Sequence, residues 1–161
     1  MRKKKATPRG HINPMAHLTT MMGVALLSKD DRTVWALEMR AALDAVREAK
    51  ATRDHWNTIF NSVNLAEEFS RMGLVTDPDG ILKEAERACE QIIKRQKTGV
   101  RSVRASELAA LRALESAMID VLGSVTNSER FNAEERVRAR MQAALNGSVP
   151  GAIVLEYQDE R

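Results

Sequence analysis

Cys89 is the only cysteine in 161 residues, so no intrachain disulfide can form and the chain is expected to suit a reducing cytoplasm. Aromatic residues are nearly as scarce, with two Trp, one Tyr and three Phe against eight Met and many Ala. That balance argues against sheets built from aromatic and β-branched pairs and for closely packed helices. No apolar run approaches the roughly 18 residues of a membrane-spanning helix. The mildly apolar stretch Met15–Leu27 follows a basic start, but His17, Thr19 and Thr20 interrupt it and no small-x-small site follows, so a secretory leader is not expected.

The motifs of common enzymes are missing as well. No glycine-rich phosphate loop occurs, and Asp77-x-Asp79-Gly80 lacks the spaced oxygen ligands of a calcium loop. His11, His17 and His55 stand in unrelated contexts with no Cys or carboxylate at a ligand spacing, so no metal or other cofactor is expected. Glu84 and Glu115 have no Glu-x-x-His partners of a di-iron bundle. Cys89 falls in an apolar stripe and reads as a small buried hydrophobe. Nothing assembles a nucleophile, a base and an oxyanion site; the expectation is a protein that is not an enzyme.

What is present is ordinary for a globular chain, with 43% hydrophobic and 29% charged residues, and the length suits one domain. Pro8, Gly10 and Pro14 punctuate residues 1–14, which have almost nothing to bury and read as a flexible arm. The single helical domain is expected over 15–147, with a tail at 148–161 whose only β-type run is 152–155. Within the domain a short helix is expected at 15–27, started by Pro14, with Leu18, Met21, Met22, Ala25 and Leu26 at spacings of three and four. Helices follow at about 32–50, capped by Asp30 or Asp31, and 53–72, capped by Thr52, although one continuous helix would also fit.

Gly73 marks a helix end and Thr76–Gly80 is turn chemistry. Then come helices at about 81–97 and 106–123, broken by the stretch 123–128. For the last helix, Thr126-x-x-Glu129 and Asn132-x-x-Glu135 are both capping boxes, and the second fits better before Val137, Met141 and Ala144; Asn146-Gly147 closes it. The expected fold is all-α, a compact bundle of five or six helices. Trp35 and Trp56 are expected in its core, and the methionines Met15, Met21, Met22 and Met39 either fill it as well or line an adaptable interaction groove.

Charge supplies the best clue to a partner. Arg2, Lys3, Lys4, Lys5 and Arg9 lie in the first ten residues with no acid among them, whereas the whole chain has 25 Lys and Arg against 22 Asp and Glu. The pI of about 9.2 therefore describes a basic arm on a nearly neutral body. A second cluster, Lys94, Arg95, Lys97, Arg101 and Arg104, straddles a helix end, and a helix starting at Ser106 would add free backbone N–H groups beside it. Both sets suit the backbone phosphates of DNA or RNA, where each cation releases counterions; the plainer reading of both is a solvated surface. Arg136, Arg138 and Arg140 read as an ordinary charged helix face. A helix-turn-helix is not supported, since the turn at 73–80 is too long and Ile81, Leu82, Lys83 and Glu84 would begin its recognition helix.

Asn57, Asn61, Asn64, Glu68 and Arg71 form a polar stripe at spacings of four, three, four and three, at a cost in helix propensity. A protein partner could bond there, or the stripe could pair within the fold. The sequence thus supports two functions: a nucleic-acid-associated or regulatory protein using the arm and the second cluster, and a helical protein-interaction module, an inhibitor or assembly factor, using an apolar or Asn-lined face. Wide apolar faces make a homodimer a further candidate.

Overall fold

Capping chemistry and apolar periodicity divide the chain where side chains can satisfy the backbone. The computed structural model describes residues 25–77, 79–100 and 102–147, and 77% of these described residues are helical. Five helices lie among the described residues: α1 Lys29–Arg47, α2 Arg53–Arg71, α3 Ile81–Gln96, α4 Ala105–Ser124 and α5 Asn127–Leu145. The described residues contain no strand, and none of the helices is long and apolar enough to cross a membrane. The arm residues Arg2, Lys3, Lys4, Lys5 and Arg9, the cluster residue Arg101 and the 152–155 run lie outside the described residues.

The helix starts are specific. Ser28, rather than Asp30 or Asp31, caps α1, its Oγ accepting from the Asp31 N–H at 3.1 Å, while the two acids sit in the first turn, where the helix dipole favours them. The chain does divide between α1 and α2. Arg47 ends α1, Ala49 takes a left-handed φ of 56°, and the Thr52 N–H donates to His55 Nδ1 at 3.0 Å to open α2. Gly73, at φ 71°, turns the chain out of α2, and Asp77 then accepts from the Leu82 and Lys83 N–H groups at 3.0 and 3.2 Å.

Two expectations are corrected. The last helix begins at Asn127, using the Thr126/Glu129 box rather than the Asn132/Glu135 one: Thr126 N–H donates to the Glu129 carboxylate at 2.8 Å and Glu129 N–H to Thr126 Oγ1 at 3.2 Å. Only Val125 and Thr126 therefore separate α4 from α5. Residues 25–27 are not helical either. Leu26 bridges Thr126, Leu27 N–H donates to the Val125 carbonyl at 3.3 Å and Asn127 N–H to the Ala25 carbonyl at 2.8 Å. The carbonyls and amides freed at the α4–α5 break are thus met by an extended segment.

Helices α1 to α4 form a ring, each packed on the next and α4 back on α1, while α5 lies outside it, packed on α2. Arg32 lies over Gly123, Arg40 pairs with Glu115 and Arg112 with Asp44, so α1 and α4 run antiparallel. Met39, Leu43, Ile59, Val63, Phe69, Ile92, Leu111, Met118 and Leu122 fill the interior at 2% exposure or less. Trp56 is buried as expected and stacks at a tilt on Phe60, ring centroids 5.8 Å apart. Cys89 is fully buried, and burial pushes its thiol up to about 12, which keeps it unreactive.

Candidate functional site

The alternation of helices gathers the element termini at two ends of the bundle. One end carries the start of α1, the end of α2, the α2–α3 loop and the start of α5, where Asp30, Asp31, Asp77, Asp79, Glu84 and Asp120 are interspersed with Lys29, Arg32, Arg71, Lys83, Arg87 and Arg130. The other end carries the α1–α2 turn, the end of α3 and the start of α4. There Lys94, Lys97 and Arg104 are exposed without an ion-pair partner among the described residues; the α1–α2 turn brings Arg53 to the same end, with Lys50, which pairs with Glu48 at 3.1 Å.

Arg95 of the same cluster is used differently. Its guanidinium pairs with the buried Glu107, whose carboxylate also accepts from the Arg104 N–H at 2.8 Å. Burial alone would raise the Glu107 pKa; the hydrogen bonds from Arg95 and the Arg104 N–H, with the charges of both arginines, outweigh it and hold the carboxyl below its ordinary range. The helix begins at Ala105 and not Ser106, and its N-terminal anion position is taken by Glu107 of the chain itself. The cluster therefore offers exposed cations, not a phosphate cradle.

The polar stripe of α2 divides along its length. Asn57 and Asn61 are exposed, while Asn64 and Glu68 are buried beneath α5 and Arg71 pairs with Glu67. Arg140 is the central group in this packing, reaching Glu67 at 3.0 Å, Glu68 at 3.2 Å and the Asn64 carbonyl at 3.5 Å; Arg136 adds Glu68 at 3.6 Å. Asn64 Nδ2 and Arg140 Nε are buried there with no hydrogen-bond partner. Arg136 and Arg140 were readable only as a surface pair on one face, because their carboxylates lie some seventy residues away in the chain. Arg40, which binds Glu115 through Nε and Nη2 at 3.1 and 2.8 Å, escaped the sequence reading for the same reason.

Two hollows mark the surface. The smaller, about 200 Å³, lies between the 75–81 loop and α4, lined by Ala66, Val75, Leu114 and Met118; its carboxylate Asp77 is engaged in capping α3. The larger is a groove of about 430 Å³ where α1, α2 and α5 meet, with Trp35, Asn61, Leu65, Val137 and Met141 in its walls and Glu38, Glu134 and Arg138 at its rim. Trp35 is thus partly buried, packed against the core from its edge. Val34 and Phe131, one turn above Glu38 and Glu134, stand 54% and 62% exposed beside it. No group of three or more metal-ligating side chains occurs among the described residues.

Neither the ends of the bundle nor the groove can be read by analogy: the chain matches no family model, no curated protein and no solved structure.

Proposed function

We propose that the chain is a small, non-enzymatic nucleic-acid-associated or regulatory protein that holds backbone phosphates with the basic end of its bundle and with its N-terminal arm. The observation that carries this reading is the set Lys94, Lys97 and Arg104, exposed at one end without an ion-pair partner among the described residues. Uncompensated cations on a nearly neutral body concentrate the field at that end, and phosphates are the anions that reward it through counterion release. Contacts of this kind give affinity without base recognition.

Salt titration of binding to a duplex DNA and a single-stranded RNA oligonucleotide tests the reading. For duplex DNA, K94Q/K97Q/R104Q should flatten the log–log slope by about 2.7, at roughly 0.9 per phosphate contact. Lack of binding to either oligonucleotide at low salt would end the reading. The groove of α1, α2 and α5 favours a second one, a helical protein-interaction module.

A further inference from the structure

We propose that α5 carries a second interface, on which another copy of this chain docks antiparallel to form a symmetric dimer. Toward its own bundle the helix buries only Ala133 and Val137. Phe131, Glu134, Arg138, Met141 and Leu145 recur at spacings of three, four, three and four, and so form a second stripe along one face. Glu134, Arg138 and Met141 place that stripe on the groove side of the helix, and Phe131 and Leu145 stand 62% and 56% exposed on it. Other apolar side chains lie open nearby. Of the six large hydrophobics exposed among the described residues, only Val100 lies away from α1, α5 and the Leu26–Thr126 bridge beside which both helices begin.

The order of chemistry along the stripe says what covers it. It runs apolar, acid, base, apolar, and this order complements itself when reversed. About a two-fold axis level with Arg136, Phe131 meets Met141 of the second copy and Glu134 meets its Arg138, and each contact occurs twice. Parallel helices would instead set Glu134 on Glu134 and Arg138 on Arg138, so the charges select the antiparallel arrangement. The ends agree. The same axis carries Leu145 to the start of the second copy's α5, where Leu26, also 56% exposed, is held by its bridge to Thr126. Self-complementarity of this kind is what an isologous contact requires, and an unrelated partner would not demand it.

Within one copy the two central charges are already engaged, Glu134 with Arg130 at 2.7 Å and Arg138 with Glu135. Both are pairs between neighbours on an open helix surface, which are weak and cheaply exchanged. Across the groove Glu38 has no ion-pair partner among the described residues and offers the incoming Arg138 a further carboxylate. Val34 and Trp35 continue the apolar surface on that side.

Sedimentation of the full chain between about 1 and 100 μM, without nucleic acid, tests the interface. The parent should approach twice its 17.9 kDa as the concentration rises. E134R and R138E each set like charges across both central contacts. Each should sediment as a monomer over the whole range, with its helical circular dichroism kept. Mixed in equal amounts the two variants should dimerise, and the exchange E134R/R138E in one chain should restore the parent's behaviour. A parent that stays monomeric at the highest concentration overturns the proposal. So does a dimer that both single variants retain, which would lie on another surface, and so does a loss that neither mixing nor exchange repairs.

Discussion

Ala49 shows how a single residue can end a helix against its own preference. It has a left-handed φ of 56° just past the end of α1, a conformation that costs a residue with a Cβ about 1 kcal/mol. Glycine is the usual occupant of this position, and Ala49→Gly should raise stability by about 0.5 kcal/mol, less than the full relief because glycine also loses more freedom on folding. Thermal melts would read the gain, and a loss would mean that the turn is not strained. Two carboxylates make a sharper pair. Glu107 titrates below its ordinary range in the fold, so its stabilising contribution is complete above that range and lost as the pH falls through the folded pKa. Glu86 is raised, first by burial and then by Glu67 and Asp77, so its ionised form opposes folding at neutral pH. Glu107→Gln should therefore destabilise by about 2 kcal/mol at pH 7 by leaving Arg95 unpaired, with the deficit shrinking in acid. Glu86→Gln should stabilise slightly at pH 7 and match the parent in acid. Melting temperatures from pH 3 to 8 for both variants give the two signs, and parallel curves would refute the assignment.

At the scale of elements, α5 differs from the rest. It packs on α2 alone, and of its own residues only Ala133 and Val137 are buried. What holds it is Arg140 between Glu67 and Glu68, over Asn64. Glu68 is 4% exposed, and removing Arg140 leaves this buried carboxylate only the longer contact to the exposed Arg136 at 3.6 Å. Arg140→Ala is expected to cost about 3 kcal/mol, and the loss should be local: amides of α5 lose hydrogen-exchange protection while those of α1–α4 keep theirs. Uniform loss across the bundle would show that α5 is part of the cooperative core. This helix also shows what the sequence could and could not reveal. Helices α2, α3 and α4 were legible because Trp56, Ile59, Phe60 and Val63, or Leu82, Ala85, Cys89 and Ile92, repeat at the helical period against a core. The residues of α5 meet the fold through arginines, and no local pattern says that a charge will be buried by a helix seventy positions away. Its start was misplaced because two capping boxes stand six residues apart and only the strand-like segment Ala25–Leu27, a long-range partner, selects the first. The exposed cations of the basic end were visible as a run of residues. That Arg95 turns inward to Glu107, and that Lys50 and Arg53 join them, depends on how four helices alternate.

For the whole molecule the decisive property is polarity. A near-neutral body mixes both signs at one end and sets the exposed cations Lys94, Lys97 and Arg104 at the other, about 28 Å away along α1, a separation of more than three Debye lengths at physiological salt. If the nucleic-acid reading holds, a long duplex DNA is contacted both by these cations and by those of the N-terminal arm, and each set adds its own share of counterion release. Then R2Q/K3Q/K4Q/K5Q should flatten its salt slope by about 3.6 and K94Q/K97Q/R104Q by about 2.7, each in the presence of the other set. An unchanged slope in either variant would remove that set from the proposed contact.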